Sequence, residues 1–503
     1  MPDDAPAPAS PAAPERPAAP AGDRSGTAGP PEARDDLVTT THQLGSGRSG
    51  LTYTATTGRV VLREEVVEEG SYAGPRARAE VFSTAYVLAG AEPGSRPVTF
   101  AFNGGPGSSS AWLHLGLLGP RRVVMGDVGA LEPPPYGVTD NLETLLEVSD
   151  LVFVDPVTTG YSRTAEGHRA DDFHGYRRDL ESVAEFIRLW TTRNQRWGSP
   201  KFLAGESYGT TRAAALAHEL AQGCGMYLNG LMLVSSVLDI GSVDFAPGRD
   251  LPYAMFLPTY AAAAHYHGVL DGDLHERVAQ AEEFASRDLL WGLARGDRLS
   301  GTERQELVTR YAALTGLSPQ FVERADLRVD LFAFAAELLR DRGLQLGRLD
   351  LRFTAWAEDR LAQTSQDDPS YRALVGPYAA ALNGYLRGEL GYRTDVAYQL
   401  LTDKVQPWSY AEFEGRPVEV AGALRTAMRA NPHLRVHVSC GLYDGSTPHF
   451  AAEHVFAHLG LPPAEADRVE WAYYEAGHMM YVHEPSRLRQ SADLAAFVRR
   501  ASS

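Results

Sequence analysis

The chain has 503 residues, of which 44% are hydrophobic and 22% charged, so it can bury a large core and is neither disordered nor collagen-like. A net charge of −17 argues against a nucleic-acid or anionic-membrane partner, because binding phosphate groups requires a basic face. The mean hydropathy is −0.25, and no stretch reaches the roughly 18–20 uncharged apolar residues of a membrane span. We therefore expect a soluble protein with one large domain carrying an insertion, or with two domains.

The first 36 residues are rich in proline and alanine and are interrupted by acidic residues. They lack the basic start and the apolar centre of a secretion signal, and we interpret residues 1–36 as a disordered leader. Cys224 and Cys440 are the two cysteines of the sequence, too few for a disulfide framework in a chain of this length. Together these features predict a cytoplasmic protein.

The segments that follow predict an α/β fold. Polar and apolar residues alternate between glycines from residue 37 to about 63, which is typical of short antiparallel strands and hairpins. Further strands are predicted at 79–88, 97–103, 150–154, 201–204, 230–234, 434–439 and 469–474, and amphipathic helices at 176–197 and 208–222. This order predicts a largely parallel central sheet with antiparallel strands at its N-terminal edge.

Residues 241–394 interrupt the alternation of strands and helices. Residues 302–305 (Thr-Glu-Arg-Gln) have the spacing of a capping box, and apolar residues at helical spacing follow them. The same spacing recurs from Leu327 to Leu338 and predicts a second helix. We predict that 241–394 is a helical cap inserted between two parts of the core, residues 37–240 and 395–503.

The strongest local motif is Gly-Glu-Ser-Tyr-Gly at 205–209, between a strand-like run and an alanine-rich helical run. A nucleophilic serine must lie on a tight turn from strand to helix, so that its Oγ is exposed above the helix N-terminus. Ser207 is therefore the candidate nucleophile.

A serine hydroxyl needs a base, and the base needs a carboxylate that orients it. Asp444 and His478 lie in the loops after the predicted strands 434–439 and 469–474, at the strand ends where such sheets carry their sites. The alternatives are Asp239 for the acid, and His449, expected to begin a helix, and His483, expected in a surface loop, for the base.

A glycine-rich loop at 103–110 (Asn-Gly-Gly-Pro-Gly-Ser-Ser-Ser) directly follows a predicted strand. Successive glycines let the backbone approach a substrate oxygen, so an N–H group of this loop and that of Tyr208 can form an oxyanion hole. Taken alone, such a loop would more often be an ordinary Gly-Pro turn. Because a candidate nucleophile, acid and histidine accompany it, we interpret it as part of the site.

Four blocks of the sequence resemble the serine carboxypeptidases, a family with the α/β-hydrolase fold. They are the glycine loop with Leu-Gly-Pro at 118–120, Val-Asp-Pro-Val at 154–157 with Gly-Tyr-Ser at 160–162, the motif at 205–209, and Gly-His-Met at 477–479. The resemblance extends from about residue 98 to residue 483. It implies an α/β-hydrolase with a helical insertion, with these roles: Ser207 nucleophile, His478 base, Asp444 its partner, Gly105 and Tyr208 oxyanion donors, and Asn103, Gly104 and Glu206 ligands of the substrate carboxylate.

Three positions depart from the family pattern: Ala101 before the glycine loop, Ser108 in place of a cysteine, and Leu117 in place of a glutamate. The absent glutamate is one half of a carboxyl pair that, in the family, shares a proton and binds the substrate carboxylate. We therefore expect Glu206 to lose its proton at lower pH than a paired carboxyl would, and the pH optimum to be neutral to mildly alkaline.

The resemblance implies a serine-type carboxypeptidase that cleaves C-terminal peptide bonds through an acyl-enzyme, acting on a peptide or a small acyl substrate. We expect no cofactor and no metal, because the sequence has no histidine-rich or cysteine-rich ligand cluster. An acyltransferase or an esterase/amidase on the same fold is the alternative. A catalytically silent binding protein is disfavoured, since no triad position is missing. The residue preference and the oligomeric state are left open.

Overall fold

A mixed β-sheet forms the centre of the fold. The computed structural model describes residues 33–45, 50–126, 128, 133–365 and 367–503. The strands are β1 (Asp36–Leu44), β2 (Leu51–Glu68), β3 (Ser71–Leu88), β4 (Val98–Phe102), β5 (Arg121–Val123), β6 (Val138–Asp140), β7 (Asp150–Val154), β8 (Arg163–Thr164), β9 (Lys201–Glu206), β10 (Gly230–Val234), β11 (Leu344–Leu346), β12 (Thr354–Trp356), β13 (Arg435–Gly441) and β14 (Val469–Tyr474).

The strand order across the central sheet is β1-β2-β3-β7-β4-β9-β10-β13-β14, with β8 paired to β3. The first three strands are antiparallel to their neighbours, whereas every pair from β7 to β14 is parallel. Helices connect the parallel strands, and the carboxyl ends of β9, β13 and β14 lie at the same edge. This is the α/β-hydrolase fold predicted from the sequence, with its antiparallel strands at the N-terminal edge.

The helices cover both faces of the sheet and build the inserted segment. They are α1 (Ala111–Leu113), α2 (Tyr176–Arg193), α3 (Tyr208–Cys224), α4 (Leu251–Met255), α5 (Leu257–Tyr266), α6 (Leu274–Phe284), α7 (Leu290–Arg295), α8 (Gly301–Thr315), α9 (Pro319–Arg324), α10 (Leu331–Glu337), α11 (Pro369–Gly388), α12 (Ala421–Ala430), α13 (His449–Ala457), α14 (Pro463–Ala466) and α15 (Glu484–Ala501). None of these helices is both long and apolar enough to cross a membrane.

Two apolar layers enclose the sheet because its central strands are buried on both faces. In β9, Phe202 and Ala204 pack into the layer that holds α11 and α15, and Leu203 packs into the layer that holds α2, α3 and α12. A third apolar cluster lies within the inserted segment, between α4 and α10. The sheet is thus a rigid platform with the inserted helices beside it.

The strands at the N-terminal edge are longer than predicted. β2 and β3 each span 18 residues and form one long hairpin. Glu69 and Gly70 connect them with positive φ angles of 50° and 82°, the geometry of the tight turn that matches the twist of paired strands. The last residues of the predicted leader belong to the fold, since β1 begins at Asp36 and Asp35 accepts a hydrogen bond from the Val61 N–H at 2.9 Å. The prediction for residues 1–32 lies outside the described residues.

The predicted cap segment is mostly helical but differs in three details. The capping box is formed by Ser300 and Glu303, two residues before the predicted position, because α8 already begins at Gly301. The next predicted helix begins at Leu331, and Leu327 lies in a turn with a φ of 62° while remaining buried. A short hairpin of β11 and β12, which the sequence analysis did not predict, crosses the segment. The apolar spacing therefore predicted correctly that Leu327 is buried, but it did not predict the residue at which the helix begins.

Candidate active site

The strand β9 and the helix α3 meet at Ser207 in a sharp turn. Ser207 has φ 60° and ψ −130°, an unusual conformation for a residue with a side chain. The turn is fixed by hydrogen bonds from the Ser207 N–H to the Val234 carbonyl at 3.0 Å and from the Thr210 N–H to the Ser207 carbonyl at 2.8 Å. Ser207 thus lies at the N-terminus of α3 on the strand-to-helix turn that a serine nucleophile needs.

His478 and Asp444 contact each other beside this turn. They follow β14 and β13, and the His478 Nδ1 atom lies 2.9 Å from the Asp444 Oδ2 atom. The other carboxylate oxygen of Asp444 accepts hydrogen bonds from the N–H groups of Ser446 at 2.8 Å and Thr447 at 2.9 Å. A fully buried carboxylate satisfied in this way holds the imidazole in one tautomer and orientation.

The two groups shift each other's pKa in opposite directions. Burial raises the pKa of Asp444, but His478 and the hydrogen bonds from 446 and 447 outweigh burial and hold that pKa below its usual value. Burial lowers the pKa of His478, but Asp444 and, to a smaller extent, Glu206 raise it above its usual value, against the opposing charge of Arg348. Each group therefore stabilises the charged form of the other.

Ser235 links the loops that carry the acid and the histidine. Its Oγ donates to the His478 carbonyl at 2.6 Å, and its own carbonyl accepts from the Thr447 Oγ at 3.1 Å. The His478 N–H donates to the Leu349 carbonyl of the cap hairpin at 2.7 Å. The sequence analysis did not identify Ser235, because no motif marks a residue that acts by joining two distant loops.

The glycine loop is anchored at both ends. At its start, the Asn103 carbonyl accepts a 2.7 Å hydrogen bond from Arg212, which is buried and paired with Asp179. At its end, the N–H and Oγ of Ser110 donate to Asp155 at 2.8 and 2.7 Å. These buried ionisable groups were also missed, although Asp155 belongs to one of the family-like blocks.

Between these anchors the loop approaches the turn at Ser207 very closely. A Cβ atom at Gly104 would overlap the backbone nitrogen of Tyr208, and Gly105 has a φ of +102°, which side-chain-bearing residues rarely adopt. Glycine is therefore required for this approach. The backbone of Tyr208 lies under the loop, whereas its ring packs against Trp408.

Glu206 lies behind Ser207 and is 4% exposed. Its Oε1 accepts from the Asn103 amide at 2.9 Å, and its Oε2 accepts from the Tyr481 hydroxyl at 2.7 Å. Burial raises the pKa of Glu206 to about 7, against the lowering effects of His478, Tyr481 and Asn103. No sequence motif points to Tyr481, the hydroxyl donor that contacts Glu206.

A cavity of about 130 Å³ opens over these groups. Of the predicted site residues, the structure brings Ser207, His478, Glu206, Asn103, Gly104 and Gly105 to its wall. Asp444 lies behind His478. Further wall residues, from the cap and the neighbouring loops, include Arg348, Leu349, Tyr371 and Ser446.

The alternative residues lie elsewhere. Asp239 caps a short turn by accepting from the Gly241 N–H at 2.8 Å, and the His483 Nδ1 atom is 2.8 Å from the Ser486 hydroxyl. His449 begins α13 as predicted, and its Nε2 atom lies 3.0 Å from a carboxylate oxygen of Glu282 in α6. Among these candidates, Asp444 and His478 are the two that contact each other, and His478 lines the same cavity as Ser207.

Metal-ligating atoms also come together at one place among the described residues. Ligand atoms of Glu282, His449 and Glu453 lie within 4.8 Å of one another, although none of the three lines the catalytic cavity. The Glu282–His449 pair joins a cap helix to the helix after the Asp444 loop, and Glu453 accepts from the Tyr473 hydroxyl at 2.7 Å. In the described structure these contacts join the cluster to its neighbours by hydrogen bonds.

Comparison with known proteins finds similarity to one family over part of the chain. Residues 81–313 match the model of the serine carboxypeptidase family. The chain is 25% identical over 183 residues to "Serine carboxypeptidase-like 9" from Arabidopsis thaliana. That alignment covers 34% of this chain and 38% of the relative, so the chain spans well under half of the curated relative it matches.

Solved structures with low similarity include three hydrolases. An esterase from Thermogutta terrifontis has 10% identity and a TM-score of 0.31, covering 94% of this chain and 100% of that chain. An epoxide hydrolase from Aspergillus niger has 11% identity and a TM-score of 0.34, covering 89% of this chain and 78% of that chain. An esterase from Exiguobacterium antarcticum has 10% identity and a TM-score of 0.36, covering 84% of this chain and 96% of that chain. The fold assignment rests on the strand order and not on these similarities.

The family match contains the glycine loop and Ser207, and it ends before Asp444 and His478. The positions of those two residues therefore rest on the geometry of the loops after β13 and β14. Residues 81–313 are thus similar to the serine carboxypeptidase family, and they belong to a chain whose sheet has the α/β-hydrolase strand order.

Proposed function

We propose that this chain is a serine-type carboxypeptidase that hydrolyses C-terminal peptide bonds through an acyl-enzyme on Ser207. One observation carries the proposal: His478, held by Asp444 at 2.9 Å, shares a cavity with Ser207 on its strained turn. The proposed nucleophile, orienting acid and base follow one another along the chain in the order Ser, Asp, His, as in the α/β-hydrolases.

In the proposed reaction, the Ser207 Oγ attacks the carbonyl carbon of the last peptide bond while the His478 Nε2 accepts the hydroxyl proton. His478 then gives this proton to the leaving amino group, and the C-terminal amino acid departs. Water, deprotonated by His478, hydrolyses the ester on Ser207 and restores the free enzyme. Asp444 stays ionised and stabilises the imidazolium in both halves of the reaction.

The N–H groups of Gly105 and Tyr208 are the proposed donors to the oxyanion of each tetrahedral intermediate. Two features support them: the positive φ of Gly105, and the close approach of Gly104 to the Tyr208 nitrogen. Because both donors belong to the backbone and are fixed by anchored loops, they need no reorganisation during the reaction.

The test is to incubate the protein with N-blocked dipeptides and measure release of the last amino acid, using Ser207→Ala as the control. The proposal predicts release by the wild type and none above background by the variant. A parallel incubation of activated esters with amine acceptors tests the acyltransferase alternative. Acyl transfer to the amine in preference to water, without dipeptide cleavage, would contradict the carboxypeptidase assignment while keeping Ser207 as nucleophile.

A further inference from the structure

A cation from the cap reaches the catalytic cavity. Arg348 lies in the loop between β11 and β12 and lines the cavity together with Ser207, Glu206 and His478. It is the one lysine or arginine among the described residues of the cavity wall. No family-like block covers this hairpin, and the sequence analysis assigned it no role.

The hairpin holds Arg348 so that its guanidinium keeps free donors. The backbone N–H of Arg348 donates to the Asp368 carboxylate at 2.9 Å, and this carboxylate also caps α11. One guanidinium nitrogen, Nη1, donates to the Ser446 Oγ at 3.0 Å, and the Nε atom forms an ion pair with the Asp368 Oδ2 atom at 3.8 Å, which is too long for a hydrogen bond. The side chain is 44% exposed, and in the described residues Nη2 has no hydrogen-bond partner.

The groups that the resemblance implies for carboxylate binding are, by contrast, hydrogen-bonded to one another. Both oxygens of Glu206 already accept hydrogen bonds, from Asn103 and Tyr481. The Asn103 side-chain oxygen accepts from the Leu113 N–H at 3.1 Å. An ionised Glu206 repels a substrate carboxylate, so a carboxylate entering the cavity needs a compensating cation.

We propose that Arg348 binds a carboxylate group of the substrate. In a site with a pair of carboxyl groups, the second carboxyl group has this role. A guanidinium suits this task because it stays charged and offers paired N–H donors that match the two oxygens of a carboxylate. The carboxylate is either the C-terminal one or the side chain of an acidic last residue. This inference rests on the proposed function, since it assigns the substrate group that the same cavity selects.

The test compares three N-blocked dipeptides: one with a neutral last residue and a free C-terminus, its C-terminal amide, and an amide with glutamate as last residue. The readout is the ratio of kcat/KM values for the free acid and the neutral amide, in the wild type, Arg348→Gln and Arg348→Lys. Arg372→Gln is the matched control. Arg372 lies on the nearby α11, and its substitution removes the same charge from a surface pair with Asp367.

We expect Arg348→Gln to lower the ratio about tenfold or more, mainly through KM, Arg348→Lys to restore part of it, and Arg372→Gln to leave it unchanged. If only the glutamate amide is favoured over the neutral amide, Arg348 binds a side-chain carboxylate. A wild type that cleaves the free acid and both amides with equal kcat/KM would overturn the proposal and leave the serine hydrolase standing. So would an Arg348→Gln variant in which neither the free acid nor the glutamate amide loses kcat/KM relative to the neutral amide. Loss of all cleavage in the wild type would instead contradict the proposed function.

Discussion

The two sides of the catalytic cavity are built differently. The base side consists of loops at the ends of β13 and β14, where Asp444 is fully buried and each of its oxygens has a polar partner. The cap side consists of a loop between two three-residue strands, from which the half-exposed Arg348 enters the cavity. In the proposed function, buried hydrogen bonds of the core therefore fix the groups that do the chemistry, whereas substrate selection depends on an exposed residue of the insertion.

This difference predicts how substitutions will act. Changes on the base side should abolish turnover of every substrate, because the groups there act on the reacting atoms. Changes on the cap side and around Glu206 should alter the choice between substrates.

The largest effect is expected for the nucleophile and the base. Ser207→Ala and His478→Ala should each lower kcat by about 10⁴-fold or more, for free acids and amides alike, and the double variant should lose no more than either single one. The measurement is kcat for both substrate types. Additive losses in the double variant would mean that the two residues do not act as a unit.

A smaller loss is expected when the glycine loop is pushed away from the turn. Gly104→Ala introduces a Cβ atom that overlaps the Tyr208 nitrogen, so the proposed oxyanion donors move apart and kcat should fall by about 10²–10³-fold. Gly94→Ala is the control, since a Cβ there meets no atom within 4 Å. Both variants are checked for an unchanged far-UV spectrum. A folded Gly104→Ala enzyme with the kcat of the wild type would remove this loop from the mechanism.

Substrate choice should change with pH through Glu206. In the wild type the free-acid to amide ratio of kcat/KM should fall as the pH rises through about 7, because burial raises the pKa of Glu206 to about 7 and its ionised form repels the substrate carboxylate. Titration of His478 affects both substrates and cancels in the ratio. Tyr481→Phe removes a hydrogen bond that favours the ionised form, so the midpoint should move up by roughly 0.5–1 pH unit.

Tyr473→Phe is the matched control for this prediction, since it removes a hydroxyl from a tyrosine–glutamate pair outside the cavity. Its midpoint should equal that of the wild type. A ratio that does not vary with pH in the wild type would show that Glu206 does not face the substrate carboxylate.

The smallest effect concerns the stability of the cap. Ser300→Ala removes the hydroxyl that accepts from the Glu303 N–H in the capping box of α8, and should lower the free energy of unfolding by about 1 kcal/mol. Ser286→Ala is the control, because its exposed hydroxyl bonds back to a carbonyl within the same helical stretch. Denaturant unfolding measures both. A loss of kcat in folded Ser300→Ala would show that cap and core are more tightly coupled than this division allows.

The sequence predicted the base side of the cavity and missed the cap side for a physical reason. Ser207, Asp444 and His478 each follow a buried strand, and strand ends can be recognised from local pattern. Tyr481 contacts Glu206 across 275 residues, and Arg348 lies in a hairpin too short to give a strand pattern. Local periodicity carries no information about such contacts. The fold class and the parallel strands were likewise predictable, whereas the helix starts in the cap depended on capping residues.

The most direct test of the central claim is mass spectrometry of the protein after reaction with a fluorophosphonate, a probe that labels activated serines. We expect a single adduct on the peptide that contains Ser207 and none on that peptide in Ser207→Ala. Labelling should be much slower in Asp444→Asn and should keep the rate of the wild type in Asp239→Asn. Labelling at another serine, or fast labelling of Asp444→Asn together with loss of labelling in Asp239→Asn, would contradict the assignment of Ser207, His478 and Asp444 as one catalytic unit.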